Sequence, residues 1–317
     1  MPLTLEQYGE HLAGKDLTWP VAPAAQQPKA KPHLVKLSGI RLVAWNVYGT
    51  LLRILGGELK FVHPDKFVMD LALDKTVQEF KMWGSMSRKP GQPSEYMGQL
   101  YERALDEQRL ASSPGEKHPE IHSDKIWDNI VKKLLQKEYK FDAGFYGALN
   151  EYCRKIAYFF HASIQGTAAY DGAGAAMEML RSLGVKQGLL GDGQPFTTVQ
   201  IGRAIAGQTS LRLDDLVDRG LRSLSFEVGG KKPSERLFRH FLQAAQQQGI
   251  QAHEILHIGS RILQDIAPAR RMGMRTALFA GDKESLQVTN EQLKDASLRP
   301  DVLLTELSQV VDVLPSR

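Results

Sequence analysis

The residues best suited to chemistry follow a short apolar run at residues 42–45. Four consecutive apolar side chains predict a buried strand. Asn46, Tyr48 and Thr50 come directly behind it, with Gly49 among them, and this composition predicts that the chain turns there. Parallel α/β proteins place their ligand-binding groups at such strand ends. The sequence therefore predicts a functional site beside Asn46.

Three later segments place polar or charged residues after predicted strands. They are Gly191-Asp192 after the strand 185–190, Lys232-Pro233 between the weak strand 222–226 and the helix 234–248, and Ser260 with Asp265 after the strand 255–258. A Lys-Pro pair alone is a weak signal, because most lysines lie solvated on protein surfaces. Its place between a strand and an amphipathic helix makes Lys232 a candidate site residue.

These segments, in this order, resemble the four motifs of the haloacid dehalogenase-like (HAD) superfamily over about residues 38–312. Motif one of that family has the form Asp-x-Asp-Gly-Thr-Leu, and residues 46–51 keep its Gly-Thr-Leu part. The helical insertion after motif one is similar to the cap of one HAD subclass, which closes over the site and helps to set substrate choice. The resemblance implies an α/β fold, namely a Rossmann-like parallel sheet with helices on both faces, plus a mostly helical cap.

The resemblance also assigns catalytic positions. Asn46 stands where the family has its nucleophilic aspartate, and Tyr48 stands where it has the aspartate that acts as acid and base. Lys232 matches the lysine that neutralises charge on the nucleophile and the phosphate. An amide oxygen is a poor nucleophile, and a phenol with a pKa of about 10 rarely accepts a proton at neutral pH.

The remaining motif positions concern the ligand and the metal. The resemblance implies that Thr50, Gly191, Asp192 and Lys232 face the ligand, with Gly191 in place of a hydroxyl residue. Asp192 has an alternative interpretation as the N-cap of a helix that starts near Phe196. The magnesium positions are Ser260, which replaces an acid, and Asp265. Magnesium requires anionic oxygen ligands, and of these two positions only Asp265 supplies one. We therefore expect no cofactor. If the protein does use a cofactor, we expect it to be magnesium.

These substitutions favour a catalytically inactive pseudo-enzyme that binds a ligand or partner, with Lys232 paired to Asp265 or Asp192. A second hypothesis is a hydrolase, of phosphatase or dehalogenase type, that works by a non-standard mechanism through Tyr48, Asp192, His257 and Asp265. In that hypothesis His257 lies within a strand, where packing is the more common role. A third hypothesis is an assembly protein that uses its cap helices or N-terminal arm.

Composition limits the partners and the compartment. The chain has 317 residues, 42% of them hydrophobic and 24% charged, with a net charge of +4. There is no basic stripe interleaved with aromatic residues, so we expect no nucleic-acid partner. No signal peptide and no run of 18 apolar residues is present, so we expect no membrane association. The single cysteine, Cys153, fits a reducing, cytoplasmic location. We expect the partner to be a small molecule, and phosphorylated molecules are among the candidates. The sequence leaves the oligomeric state open.

The order of segments predicts three parts. Residues 1–33 form an arm with one short helix and a proline-rich linker, which we expect outside the core or docked on its surface. Residues 34–52 and 166–317 form the α/β core, in which six short strands alternate with helices. Residues 53–165 form the helical cap. Its cleanest amphipathic helix starts near Ile126, with Asp124 as a predicted N-cap.

Overall fold

The computed structural model describes residues 1–86, 92–111 and 115–315. A six-stranded sheet, parallel throughout, forms its core, and a two-stranded antiparallel pair lies beside it. The predicted fold class is thus confirmed. In chain order the strands are β1 Leu42–Trp45, β2 Leu52–Arg53, β3 Ala168–Ala169, β4 Lys186–Gly191, β5 Arg222–Leu224, β6 Ile255–Gly259, β7 Arg275–Phe279 and β8 Val302–Leu304.

The α-helices fill the segments between these strands. They are α1 Leu5–Ala13, α2 Lys66–Glu79, α3 Pro93–Leu110, α4 Ser123–Leu135, α5 Ala143–Tyr146, α6 Leu149–Ile164, α7 Ala173–Ser182, α8 Thr197–Ile205, α9 Leu213–Leu216, α10 Ser225–Val228, α11 Glu235–Gln247, α12 Ala267–Arg271 and α13 Asn290–Lys294.

The sheet order is β5-β4-β1-β6-β7-β8, so β1 lies between β4 and β6. All four residues of β1 are buried because helices cover both faces of the sheet. Val43 and Trp45 pack in one hydrophobic cluster with residues of α7, whereas Leu42 and Ala44 pack in another with residues of α11. The carboxyl ends of β4, β1 and β6 meet at one edge, so the segments that follow them, which are motifs two, one and four, are neighbours.

The insertion between β2 and β3 builds a second hydrophobic core from α2, α3, α4 and α6. Aromatic side chains dominate its centre, where Trp127 packs edge-on against Phe160 at 5.3 Å between ring centroids. β2 pairs with β3, so the chain enters and leaves this cap through two adjacent strands. Proline, glycine, serine and charged residues predict loops at residues 87–94 and 111–119, and both segments fall partly outside the described residues.

The arm differs from the expectation that it lies outside the core. Tyr8 and Leu12 of α1 are buried in the cap cluster, with Leu12 only 3% exposed. Thr4 and Gln7 form a capping box that starts α1. A helix with two fully buried apolar side chains is part of the core it packs on, so the prediction for α1 was wrong.

Two local predictions also change. α4 begins at Ser123 with His122 as its N-cap residue, so Asp124 lies in the first turn, where a carboxylate favours the helix dipole. The sequence also predicts a helix over residues 264–272, and the structure instead has a π-helical turn over Ile262–Ile266 followed by α12. Among the described residues, none of the helices is long and apolar enough to cross a membrane.

Leu12→Ala should destabilise the protein by about 2–5 kcal/mol, because it removes a buried side chain and leaves a cavity. Leu110→Ala is the matched control, since Leu110 is 86% exposed. Urea unfolding followed by circular dichroism measures both. An equal, small change in the two variants would show that α1 is not packed as described.

Candidate functional site

Asn46 lies directly after β1 and is fixed at every polar atom of its side chain. The amide nitrogen Nδ2 donates to the carbonyl of Tyr48 at 2.9 Å and to Oγ1 of Thr50 at 3.1 Å. Oδ1 accepts from Nζ of Lys232 at 2.6 Å. The backbone N–H donates to the carbonyl of Ile258 at 2.9 Å. These partners set the amide orientation and turn its oxygen toward the ammonium group.

Lys232 bridges Asn46 and Asp265 at the centre of the site. Nζ of Lys232 also forms an ion pair with Oδ1 of Asp265, and the two side chains are only 2% and 1% exposed. Oδ2 of Asp265 accepts from the backbone N–H groups of Ser260 at 3.0 Å and Arg261 at 2.9 Å. Burial alone would raise the pKa of Asp265, but the Lys232 charge and the hydrogen bonds outweigh it, so the pKa lies below its ordinary value. The expected pairing of Lys232 with Asp265 is confirmed.

Asp192 is held by the backbone next to this pair. Its Oδ1 accepts from the N–H of Lys232 at 2.7 Å. Burial raises the pKa of Asp192 in spite of the nearby Lys232 charge. The N-cap hypothesis was wrong, because α8 begins only at Thr197, with Phe196 as its N-cap residue and no side-chain cap.

Gly191 occupies a position where a side chain does not fit the present arrangement. A Cβ atom built on Gly191 would lie 2.8 Å from Oδ1 of Asn46, closer than real Cβ contacts. A hydroxyl residue here would therefore push the Asn46 amide away from its present place. Glycine permits the close approach of β4 to the Asn46 side chain.

Tyr48 is buried with its hydroxyl in a closed polar network. The hydroxyl donates to Oε1 of Gln200 at 2.7 Å and lies 2.9 Å from Oγ1 of Thr197. Burial raises the pKa of Tyr48 well above its ordinary value. Its proton is therefore held against Gln200, and the phenol remains neutral at physiological pH.

His257 is a packed residue of β6. It is fully buried, its Nδ1 lies 3.0 Å from the carbonyl of Ala44, and its ring meets Phe238 edge-on. Burial lowers the pKa of His257 to about 3. A neutral imidazole beneath the sheet edge cannot take part in the acid–base chemistry that the second hypothesis assigned to it.

The metal positions do not fit magnesium. Oδ1 of Asp265 is taken by Lys232 and Oδ2 by two backbone N–H groups, while Oδ1 of Asn46 also faces the ammonium. The Ser260 hydroxyl is fully buried and has no hydrogen-bond partner among the described residues. Magnesium prefers several anionic oxygens in octahedral geometry. Across residues 1–86, 92–111 and 115–315, no three His, Cys, Asp or Glu side chains come together as a metal site.

A cavity of about 380 Å³ lies between the core and the cap, above this network. Asn46, Tyr48, Asp192, Lys232 and Asp265 line it, so the structure brings these predicted residues together. Thr50 lies behind Asn46, and Ser260 and His257 are fully buried. The further charged lining includes Lys60, Glu120, Lys231 and Arg261.

Glu120 is a site residue that the sequence analysis missed. Ser225 donates to one carboxylate oxygen, and the N–H of Ile121 donates to the other at 2.8 Å. Burial, and then the charge of Asp192, raise the pKa of Glu120 to about 7. The residue follows a loop-like, charged segment of the insertion, and only tertiary pairing brings it to the cavity.

That pairing joins the cap to two motif segments of the core. The N–H of Lys231 donates to the carbonyl of His118 at 2.8 Å, and the N–H of Glu120 donates to the carbonyl of Gly229 at 3.3 Å. The side chain of Gln194 accepts from the N–H of Ser123 at 2.9 Å and donates to the carbonyl of Ile121 at 2.8 Å. The cap therefore lies closed over the cavity.

A family model for haloacid dehalogenase-like hydrolases matches residues 40–273 of the chain. The chain belongs to this family. The predicted membership of the HAD superfamily is thus confirmed, and the core described above is the scaffold of a hydrolase family.

Two curated relatives are glyceraldehyde 3-phosphate phosphatases. The Pyrococcus abyssi protein is 34% identical over 108 residues, which are 34% of this chain and 41% of that protein. The Pyrococcus furiosus protein is 29% identical over 144 residues, 45% of this chain and 53% of that protein. The chain therefore spans about half the length of these relatives or less.

Solved HAD structures resemble the chain in fold. The 2-haloacid dehalogenase from Pseudomonas syringae has a TM-score of 0.50 and 19% identity, and the match covers 86% of this chain and 97% of that one. A HAD phosphatase from Thermococcus onnurineus has a TM-score of 0.47 and 15% identity, with 86% and 97% covered. At such identities the likeness concerns the fold alone.

Lys232→Met should destabilise the protein by about 3–5 kcal/mol, because it leaves the Asp265 carboxylate buried without its counter-charge. Lys231→Met is the matched control, since the neighbouring Lys231 side chain is exposed. Equilibrium unfolding in urea at pH 7 measures both. A Lys232→Met protein as stable as the control would contradict the central ion pair.

Glu120 should make the protein less stable as pH rises from about 4.5 to 7. Its folded pKa of about 7 lies above the unfolded value, so over this range the folded state binds more protons and stability falls with pH. Glu120→Gln should remove that slope, as measured by thermal unfolding at a series of pH values. Parallel curves for the two proteins would show that the Glu120 carboxyl titrates normally.

Proposed function

We propose that this protein is a non-catalytic member of the HAD-like family that binds a small molecule in the cavity between core and cap. One observation carries the proposal. At the position of the family's nucleophile, Asn46 presents a neutral amide whose oxygen is already hydrogen-bonded to Lys232 at 2.6 Å. An attacking group needs an anionic oxygen free to approach the substrate.

The neighbouring groups support the same conclusion. Tyr48 keeps its proton, because burial raises its pKa and Gln200 accepts its hydrogen bond. The Asp265 carboxylate is saturated by Lys232 and two backbone N–H groups. Loss of a nucleophile alone lowers a rate on the order of a millionfold. Hydrolysis by the family's usual covalent route therefore has no competent group at this strand end.

The cavity remains suited to binding. Among the described residues, the side chains of Lys60 and Lys231 line it without forming an ion pair, so they are available to an anionic group. We propose a small molecule with a phosphate or another anionic group as the ligand, in line with the substrate named for the two Pyrococcus relatives. A cytoplasmic location without nucleic-acid or membrane partners completes the proposal, supported by the single, buried Cys153.

A second candidate function is a hydrolase with a non-standard mechanism. The observation in its favour is Glu120, a carboxyl group with a pKa of about 7 in the same cavity as Asp192. A group with a pKa near the working pH is suited to general acid–base catalysis. This candidate requires turnover that depends on Glu120 rather than on Asn46.

Restoring the acids should restore chemistry. The triple variant Asn46→Asp, Tyr48→Asp, Ser260→Asp, assayed with magnesium on a panel of phosphate monoesters, should turn over substrate, whereas the unaltered protein should show none above a Lys232→Ala preparation. The double variant Tyr48→Asp, Ser260→Asp is the matched control and should stay inactive, because it lacks the nucleophile.

Three outcomes would be informative. Turnover by the unaltered protein that survives in Lys232→Ala would indicate a contaminant, while turnover that is lost in Glu120→Gln but kept in Asn46→Ala would establish the second candidate. A folded but inactive triple variant would show that more than the three acids separates this site from a working one.

A further inference from the structure

The N-terminal segment, residues 1–33, runs from the cap to the core. On the way it passes the hinge, that is, the two connections between cap and core at β2 and β3. We infer that this segment, here called the strap, holds the cap in its closed position and thereby controls entry of ligand to the cavity. The inference rests on the proposed function in one respect only, namely that the cavity takes a ligand. The strap's contacts divide into three groups along the chain.

The first group anchors the strap to the cap. α1 buries Tyr8 and Leu12 in the cap cluster. Nζ of Lys15 forms an ion pair with Glu79 at 2.6 Å, and Nζ of Lys75 donates to the carbonyl of Thr18 at 2.5 Å. Both partners lie on α2. The beginning of the strap therefore packs on the cap, and it also reaches the core, because Arg203 of α8 donates to the carbonyl of Gly9.

The second group crosses the hinge. A Cβ atom built on Gly166, just before β3, would lie 2.3 Å from the carbonyl oxygen of Pro20 and 2.4 Å from the carbonyl carbon of Val21. The strap thus rests directly on the backbone of one cap connection. At the other connection, Nη1 of Arg53 in β2 donates to the carbonyl of Pro23 at 3.4 Å. Both connections between the cap and the core are therefore in contact with the strap.

The third group anchors the strap to the core. The N–H of Gln26 donates to Oδ1 of Asp282 at 3.0 Å, and the N–H of Lys283 donates to the carbonyl of Gln26 at 2.7 Å. Further on, His33 exchanges two backbone hydrogen bonds with Leu303 of β8, at 2.9 and 3.0 Å. The end of the strap therefore moves with the sheet.

A segment fixed to both bodies and to the hinge between them restrains hinge rotation. Caps and lids open by changes of backbone torsion at a few connecting residues, which here are the ends of β2 and β3. Rotation of the cap must either lift the strap from Gly166 or break its bonds at one end. The exposed stretch at Ala24 and Ala25 separates the hinge contacts from the core contacts at Gln26 and His33, so release at this stretch leaves the contact of α1 with α8 as the remaining link of the strap to the core.

The test cuts the strap after the protein has folded, so that α1 stays in the cap. A protease recognition sequence is inserted between Ala24 and Ala25 of the full chain, which also carries Arg203→Ala so that the bond from α8 to Gly9 is absent both before and after cleavage. Spin labels are placed at Lys125→Cys on α4 and Gln243→Cys on α11, both exposed positions, while the native Cys153 is buried. Electron–electron double resonance then gives the cap-to-core distance before and after cleavage.

We expect one narrow distance distribution in the uncut protein and an added population at another distance after cleavage. Hydrogen exchange of backbone amides in residues 165–169 should become faster, by up to about tenfold for each strap hydrogen bond that is lost. An unchanged distance distribution and unchanged exchange after complete cleavage would overturn the inference.

A point substitution provides a second route. Gly166→Ala should displace Pro20 from the hinge and reproduce the effect of cleavage without a cut chain. Gly202→Ala is the matched control, because a Cβ there has Leu213 at 3.9 Å as its nearest neighbour. If Gly166→Ala gives the same distance distribution and the same hydrogen exchange as Gly202→Ala, the strap does not restrain the hinge. None of these measurements uses turnover or a ligand, so their failure is distinct from failure of the proposed function.

Discussion

The Lys232 ammonium group, buried between the Asn46 amide and the Asp265 carboxylate, is the interaction on which the rest of the site depends. A buried charge is costly unless it is paired and hydrogen-bonded. Asp265 supplies the charge, Asn46 supplies a neutral acceptor at 2.6 Å, and two backbone N–H groups satisfy the remaining carboxylate oxygen. The Lys232 and Asp265 charges are therefore paired and hydrogen-bonded without a metal ion. The glycine at residue 191 follows from this arrangement, since a side chain there would meet the Asn46 oxygen.

The closed cap adds a second constraint. On the side of the cavity, the segment around Glu120 is hydrogen-bonded to the loop that leads to Lys232, so the cap and the central ion pair are linked through a few backbone bonds. On the opposite side, residues 1–33 contact the two connections between cap and core and are hydrogen-bonded to both the cap and the core. Wider opening of the cavity therefore requires the cap to move against both sets of contacts.

The sequence was sufficient to predict the parallel sheet and the place of Asn46, since buried apolar runs followed by polar turns have a strong local signal. It also predicted that Lys232 pairs with Asp265 or Asp192, because these are the acidic residues that remain at the motif positions. The role of Asp192 and the presence of Glu120 could not be read from local pattern. Both depend on which loops meet across the cavity. The arm was misjudged because its prolines suggested an unpacked linker, whereas Tyr8, Leu12 and Gly166 show their importance only in tertiary contact.

Calorimetric titration of the unaltered full-length protein with magnesium, alone and in the presence of inorganic phosphate, tests the central claim most directly. At the family's metal positions, magnesium would have to displace Lys232 from Asp265. We predict no saturable heat of binding at millimolar magnesium in either titration. Stoichiometric binding of the ion, with or without phosphate, would contradict the account, because it would mean that the Lys232–Asp265 pair gives way to a metal and that the family's chemistry has the cation it needs.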